Sequence, residues 1–315
     1  MFPFPETACG IMKKDIIIIG AGPAGMAAAV YGVRAGKSVL LLDKTGFGGQ
    51  IVNAGSVENY PSFKKITGAE LAAAMHEQAL DLGAEFRTGL VTGVEDRGDV
   101  KIVKTASEEH EAKAVIVATG ASNRKLGVEG ELRLTGAGVS YCATCDGNFF
   151  RGRTVAVVGG GNTALDDAEV LANLAKQVYL IHRRDSFRGD AATVRRLEAK
   201  QNVEFVLDSV PVEIRGQFMV ESIVVRNKMT DEEREIPVNG VFVAVGQEPD
   251  NQAFTNVLRL DEAGYVDAGE DCLTGTPGVF VAGDCRVKKI RQLLTAGSDG
   301  AVAALAAVDY INANS

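Results

Sequence analysis

The sequence predicts an α/β protein of two dinucleotide-binding domains, each a three-layer ββα arrangement, with the second domain inserted into a discontinuous first. Three observations carry this. The segment DIIIIGAGPAGMAAAVYGVRAGKSVLLLD (15–43) is echoed by TVAVVGGGNTALDDAEVLANLAKQVYLIHRR (154–184), with Gly20 matched to Gly159 at an offset of 139. An apolar strand running into small residues recurs at 114–121, 240–250 and 278–285. The third of these, GVFVAGDC, lies beyond the second unit and supplies a glycine-aspartate pair that the first unit otherwise lacks.

Each echoed copy reads in order as a β-branched run, a glycine turn, an alanine-rich helix and a second apolar strand ending in charged residues. Strands alternating with helices imply a parallel sheet covered on both faces, with ligands outside the carboxyl ends of the strands. The first domain is expected over 1–123 and 249–315, and the second over 124–248. From 293 to 311 the alanine-rich pattern predicts a closing helix with one face suited to a sheet. Residues 1–14 are expected to be a ragged leader, because prolines and an acid interrupt what a signal peptide needs to keep apolar.

The 315 residues carry a formal net charge of -8, which argues against nonspecific binding to nucleic acid or an anionic membrane. Residues 16–33 are uncharged, at the lower limit of spanning length, yet Gly20, Gly22, Pro23 and Gly25 break the run, so a buried strand and helix are expected instead. Five cysteines form one close pair and three singles, a pattern that suits a reducing cytoplasm better than a secreted disulfide framework.

Gly20, Gly22 and Gly25 make a GxGxxG turn between a strand and a helix, the context that makes the motif informative. Glycines admit a pyrophosphate, and the helix start offers it N–H groups and a positive dipole end. Asp43, 23 positions after Gly20, is placed to accept hydrogen bonds from an unphosphorylated adenosine ribose. The second turn reads Gly159, Gly161, Ala164, and the position of Asp43 is taken by His182, followed by Arg183, Arg184 and Arg188. A carboxylate there would repel a 2′-phosphate, whereas guanidinium groups can grip one, so this Rossmann-like unit is expected to take NADPH. Two dinucleotides, one of them phosphorylated, imply a flavoprotein that takes hydride from NADPH.

Cys142-Ala-Thr-Cys145-Asp146 precedes the second unit in SYCATCDGNFF, a stretch without strong helical character. A CxxC can hold zinc, be inert or be a redox dithiol. No second ligand pair stands at zinc spacing, so no metal is expected, and the neighbouring nucleotide turns favour redox.

The motifs GAGPAG, GGQ, ENYP, ATGA, CATCDG, GGGNTA, HRRDSFR, GVFVAGD and RQLLTAGSDG stand in the order found in low-molecular-weight thioredoxin reductases, which the chain resembles over nearly its whole length. The resemblance implies FAD in the first domain, NADPH in the second, thioredoxin as the protein substrate and a homodimer. It implies that Cys145 receives electrons from the flavin C4a position, that Cys142 exchanges with thioredoxin, and that Asp146 protonates the departing thiolate. Beyond the glycines and Asp43, it implies FAD contacts at Pro23, Ala24, Gly49, Gln50, Asn59, Val94, Ala118, Thr119, Gly120, Gly283, Asp284, Arg291, Gln292 and Leu293. NADPH contacts are implied at Asn162, Thr163 and Gly246. It further implies that the second domain swivels, with hinges near 122–125 and 246–250. Larger disulfide reductases use a C-terminal histidine, and this chain has none after His182. Cys285, directly after Gly283-Asp284, departs from the expected pattern. The rivals are a ferredoxin-fed flavin reductase, a dithiol oxidase, a ferredoxin–NADP reductase and a flavin-binding redox sensor; GGGNTA and HRR oppose the first two, and the last two do not need the full set of motifs with CATC.

Overall fold

The computed structural model describes residues 13–314, and the chain divides into two compact units, one running to Ser122 and resuming at Glu248, the other Asn123–Gln247. The leader expected over residues 1–14 lies almost wholly outside the described residues.

In the first unit, β1 (Lys13–Ile19) turns through the glycines into α1 (Pro23–Arg34) and β2 (Val39–Asp43). Next come α2 (Gly68–Asp81), β3 (Glu85–Thr88), and a meander of β4 (Val91–Asp96), β5 (Lys101–Thr105) and β6 (Glu109–Val117). β1 is flanked in parallel by β2 and β6, and β3 extends the sheet beyond β2. The long β6 serves two partners along its other edge, β5 antiparallel at its start and a late strand in parallel at its end. Alternation sorts the run of isoleucines: Ile16 and Ile18 face one apolar cluster with the alanines of α1, while Ile17 and Ile19 face a second cluster. A strand buried on both faces needs such a continuous apolar run.

The first crossing of the chain is β7 (Ala121–Asn123). The second unit then holds β8 (Val139–Ser140), the short turn of helix α3 (Ala143–Asp146), β9 (Thr154–Val158), α4 (Asn162–Ala172), β10 (Gln177–Ile181), α5 (Ala191–Glu198) and β11 (Val203–Val206). An antiparallel trio follows, β12 (Ser209–Arg215), β13 (Ser222–Asn227) and β14 (Glu233–Pro237), and then β15 (Gly240–Val243). The parallel sheet runs β11-β10-β9-β15-β8. One face packs Leu165, Ala168 and Leu171 of α4, and the other packs apolar residues of the trio such as Ile223 and Val225.

The return crossing is β16 (Gln247–Pro249), which pairs with β7, so segments expected as hinges are a two-stranded ribbon in which Gln247 Nε2 donates to Asn123 Oδ1 at 3.0 Å. β17 (Val279–Val281) then joins the end of β6, and α6 (Leu293–Ala313) closes the first unit against α1 through Ala303, Ala304 and Ala307. Among the described residues no helix is long and apolar enough to cross a membrane.

Candidate active site

The first glycine turn is shaped by close packing. Gly20 adopts φ +110°, and a side chain there would collide with the carbonyl of Ala118 at the end of β6. Gly25 lies against the Gly20 carbonyl, which draws α1 onto the strand. Pro23 occupies the first helical position, where its missing N–H costs nothing. The N-cap, Gly22, offers no side-chain cap, in contrast to α2, whose Thr67 and Glu70 form a capping box. An uncapped helix start leaves its N–H groups for an anion.

Around this turn the structure gathers most of the residues expected to hold FAD. Gly49 comes against Gly22, and Gly283, at φ +82°, comes against Ala24. Asn59 Nδ2 donates to Gln292 Oε1 at 3.2 Å, tying the loop after Gln50 to the start of α6 at Leu293. Arg291 Nε reaches the Asp284 carbonyl at 3.4 Å and its guanidinium lies over the Tyr265 ring. Thr119 and Gly120 continue from Ala118, and Thr119 Oγ1 donates to Asn251 Oδ1 at 2.8 Å. Asp284 Oδ1 is buried without a hydrogen-bond partner, and burial pushes its carboxyl above the usual range. An orphaned buried oxygen beside an uncapped helix start fits a polar ligand carrying hydroxyls and phosphates.

Asp43 has a second job that its position alone does not reveal. Its Oδ2 accepts from Ala21 N at 2.8 Å, and its Oδ1 accepts from Thr45 N at 2.9 Å and Gly46 N at 3.2 Å. The carboxylate thus braces the glycine turn while keeping lone pairs for a ribose. The Val94 side chain is buried in the core, and its carbonyl accepts from Asn256 Nδ2 at 2.6 Å.

The second turn repeats the plan. Gly159 N donates to Ile181 O at 3.0 Å, as Gly20 N does to Leu42 O at 2.7 Å. Ala164 packs beneath Gly159, and the N-cap Gly161 again offers no side chain. Thr163 and Asn162 are exposed, and Asn162 Oδ1 accepts from Asp190 N at 2.7 Å. His182 is not turned to solvent. The residue is 5% exposed, and its ring lies beneath Gly160, stacks on Phe187 and bonds the Ser186 carbonyl at 3.1 Å. Burial, together with Arg183, Arg184 and Arg188, holds its pKa below the ordinary range, so the ring is neutral near pH 7 and serves as a post. Arg183, Arg184 and Arg188 are exposed on the loop it supports, and Arg188 N donates to Gly160 O at 2.9 Å. That clip sets the cationic loop directly on the glycine turn. Gly246, at φ +116°, accepts from Arg124 N at 3.0 Å where β15 leads to the crossing.

Cys142 and Cys145 form a disulfide with Cα atoms 5.3 Å apart. The stretch expected to lack strong helical character folds as one short helical turn, with Cys142 as its N-cap and its Sγ accepting from Cys145 N at 3.2 Å. Cys145 and Thr144 are exposed and Cys142 is half-buried. Ser140, two residues earlier, organises the turn: its Oγ accepts from Cys142 N at 3.1 Å and donates to Asp146 Oδ2 at 2.6 Å. Burial pushes the Asp146 carboxyl up, and the Ser140 hydroxyl partly offsets this.

Sequence reasoning missed Ser140, Asn251 and Asp299. The SxC spacing was a weak signal for Ser140; the others become visible only when distant segments meet. Asn251 is fully buried and donates to the carbonyls of Gly264 and Cys285 at 2.9 and 3.0 Å. Cys285 is itself buried, which removes it from thiol chemistry at the surface. Among the described residues no group of three or more His, Cys, Asp or Glu is placed to hold a metal.

The family model described as pyridine nucleotide-disulphide oxidoreductase matches residues 14–300. A thioredoxin reductase of Peptoclostridium acidaminophilum is 43% identical over 307 residues, covering 95% of this chain and 98% of the relative. A thioredoxin reductase of Bacillus subtilis is 42% identical over 298 residues, 94% of each chain. The crystal structure of thioredoxin reductase from Streptococcus pyogenes superposes with a TM-score of 0.92 at 40% identity, covering 96% of this chain and all of that one.

Proposed function

Because the chain belongs to the pyridine nucleotide-disulphide oxidoreductase family, we propose that it acts as a thioredoxin-disulfide reductase, with electrons passing from NADPH through FAD to Cys142–Cys145 and on to thioredoxin. The observation that carries the reading is a partly exposed disulfide clamped beside a half-buried carboxyl, in the same unit as an uncapped glycine turn beside three exposed arginines.

FAD, when bound, supplies the conversion of a two-electron hydride donor into electrons for a disulfide. The first unit holds it. The start of α1 would receive the pyrophosphate and Asp43 the ribose, and Gly49, Gln50, Asn59, Ala118–Gly120, Gly283, Asp284 and Arg291–Leu293 would line the remainder. The second unit would hold NADPH: Gly159–Ala164 would meet its pyrophosphate, and Arg183, Arg184 and Arg188 would grip the 2′-phosphate from the loop posted on His182.

Two electrons and two protons convert the Cys142–Cys145 disulfide to a dithiol. The Cys142 thiolate attacks one sulfur of the thioredoxin disulfide, forming a mixed disulfide and releasing one thioredoxin thiolate, which takes up a proton. The Cys145 thiolate then attacks Cys142 Sγ, restores the intramolecular disulfide and expels the second thioredoxin thiolate, also protonated. A half-buried carboxyl close to these sulfurs in the chain, with its pKa pushed up, is suited to hold the proton, and Asp146 fills that role from its bond to Ser140.

We place the working protein in the cytoplasm, as a homodimer. Exposed Tyr31, Val302 and Leu305 on α1 and α6 supply apolar surface for a second copy, and the cysteine pattern suits a reducing compartment.

Anaerobic titration of the purified protein with NADPH and then NADH, following flavin bleaching and the count of free thiols, tests the reading. NADPH should bleach the flavin and generate two new thiols on this chain, which oxidised thioredoxin, when added, should re-oxidise as it gains two thiols of its own. Bleaching without new thiols, or equal response to NADH, would overturn it.

A further inference from the structure

Cys142, the cysteine proposed to exchange with thioredoxin, is tied to Asp146 through both of its peptide groups. Its carbonyl accepts from Asp146 N at 3.1 Å. Its own N–H goes to Ser140 Oγ at 3.1 Å, and the Ser140 hydroxyl in turn donates to Asp146 Oδ2 at 2.6 Å. The three bonds close a ring in which the Ser140 hydroxyl links the carboxyl to the cysteine backbone. Strand register puts it there. Val139 and Ser140 of β8 pair with Val241 and Phe242, Val139 enters an apolar cluster, and alternation turns Ser140, 6% exposed, to the opposite face.

We infer that Ser140 is a positioning residue for thiol exchange, whose hydroxyl reserves Asp146 Oδ2 as an acceptor and so places the proton that Asp146 delivers on Oδ1. The inference rests on the proposed dithiol exchange with Asp146 as its proton carrier. A serine hydroxyl has a single hydrogen. Ser140 gives it to Oδ2 while a lone pair takes the Cys142 N–H. A proton on Oδ2 would drive that hydrogen toward the Cys142 carbonyl, which is 3.4 Å away, outside the usual range for a hydroxyl donor, and already accepts from Asp146 N. Oδ1 takes up a proton with the ring intact. In the transfer to a departing thiolate the Oδ1–H bond breaks, an S–H bond forms and the negative charge passes from sulfur to the carboxylate. The Ser140 bond is then charge-assisted, so the acid is held in place in both of its states.

The surrounding elements leave this control to the hydroxyl. α4, which packs on α3, carries Asp166 and Asp167 in its second turn, acids that offer the Asp146 carboxyl no ion pair. Glu169, further along α4, is bound to Arg196 of α5 at 2.7 Å. β15, beside β8, is apolar along Gly240–Val243. The turn Gly147–Phe150 after Asp146 has no titratable side chain, and Arg151 beyond it donates to Asn148 Oδ1 at 3.2 Å. On the other side of the cysteine, Tyr141 gives its hydroxyl to Glu131 Oε1 at 2.8 Å and has Lys125 over its ring. Burial pushes the Asp146 carboxyl up and the Ser140 hydroxyl pulls it down, because a donor on Oδ2 favours the charged form.

The test is infrared difference spectroscopy of the full flavin-loaded chain in its disulfide form, titrated with acid. Subtracting the titration of Asp146→Asn isolates the Asp146 carboxyl. Its C=O stretch lies low when the carbonyl oxygen accepts a hydrogen bond, so it reports which oxygen carries the proton. Ser140→Ala and Ser140→Gly, two chains without the hydroxyl, should raise the titration midpoint by about one unit and move the stretch to higher wavenumber. Ser140→Thr, which keeps the hydroxyl, should restore both. After reduction with NADPH, Ser140→Ala should pass electrons to oxidised thioredoxin about tenfold more slowly in a single turnover, and Ser140→Thr at the wild-type rate. Midpoint and stretch unchanged in both hydroxyl-free chains would overturn the inference even if they melted earlier, since a purely structural role moves the melting point and leaves the carboxyl band alone. A raised midpoint with the stretch in place would put the proton on Oδ2 and overturn it as well, as would an unslowed single turnover. Wild-type protein reduced by NADPH that passes no electrons to thioredoxin would instead refute the exchange reading beneath it.

Discussion

Asp299 is the carboxylate on which the cofactor-facing end of the first unit hangs, and its replacement by alanine tests that directly. It sits in α6 at 4% exposure and accepts four bonds: Arg286 Nε at 2.9 Å, Arg286 Nη2 at 3.0 Å, Lys288 Nζ at 2.9 Å and Gly283 N at 3.0 Å. Arg286 and Lys288 are themselves buried, with side chains 1% and 4% exposed. Glu270 also reaches Arg286 Nη2, at 3.1 Å, but is 90% exposed and screened by water. Removing Asp299 strands two buried cations, a loss of about 3–5 kcal/mol for a broken buried pair. A unit of this size moves by about 2–4 °C per kcal/mol, so the melting midpoint should fall by roughly 6–20 °C. Because the same carboxylate holds the N–H of Gly283, Asp299→Ala should also release flavin at lower urea than the wild type. Asp299→Asn, which keeps the shape and loses the charge, should fall between them. Burial raises the Asp299 carboxyl, but the Arg286 and Lys288 bonds outweigh it and leave the pKa lowered from 3.8. The folded value lies below the unfolded one, so the stabilisation is present above about pH 4 and is lost as pH falls through the folded pKa. Thermal denaturation followed by circular dichroism and flavin fluorescence checks these outcomes. A fall of less than about 2 °C, with flavin retained, would refute the argument that this carboxylate holds the cluster together.

Cys142→Ser and Cys145→Ser should each abolish thioredoxin reduction while the flavin stays bound and bleachable by NADPH; near-normal turnover in either would remove the dithiol assignment. Arg183→Ala combined with Arg184→Ala should weaken NADPH by about 1.5–3 kcal/mol for each charge-assisted bond lost and leave NADH binding nearly unchanged, as measured by titration calorimetry. Equal losses for both nucleotides would reassign the pair to support of the fold. Asp146→Asn should keep both cofactors and the disulfide yet slow turnover about 10²–10⁴-fold; unchanged electron transfer to the disulfide in stopped flow would leave the residue only a turn-stabilising part through Ser140.

Period and composition determined a good deal on their own. Ile16–Ile19 could only be a strand buried on both faces, and the glycines after it could only be a turn tight enough to bring α1 back onto the sheet, because these are local properties of backbone sterics and apolar periodicity. The charge change from Asp43 to His182-Arg183-Arg184 was equally local. The antiparallel trio β12–β14 and the split partnership of β6 were not legible. Pairing depends on which strand edges meet, and a strand does not encode its neighbour's register in its own residues.

The site divides along the same line. Cys142, Cys145 and Asp146 stand together in the chain, so spacing and residue type announce them. Thr119 meets Asn251, and Asp299 meets Arg286 and Gly283, only after folding, across separations that no local pattern spans. His182 shows the difference within one residue: its place at the end of β10 was readable, whereas its burial beneath Gly160 was not. Tertiary structure decided these cases because burial and partner choice fix protonation, and both come from surroundings assembled out of distant parts of the chain.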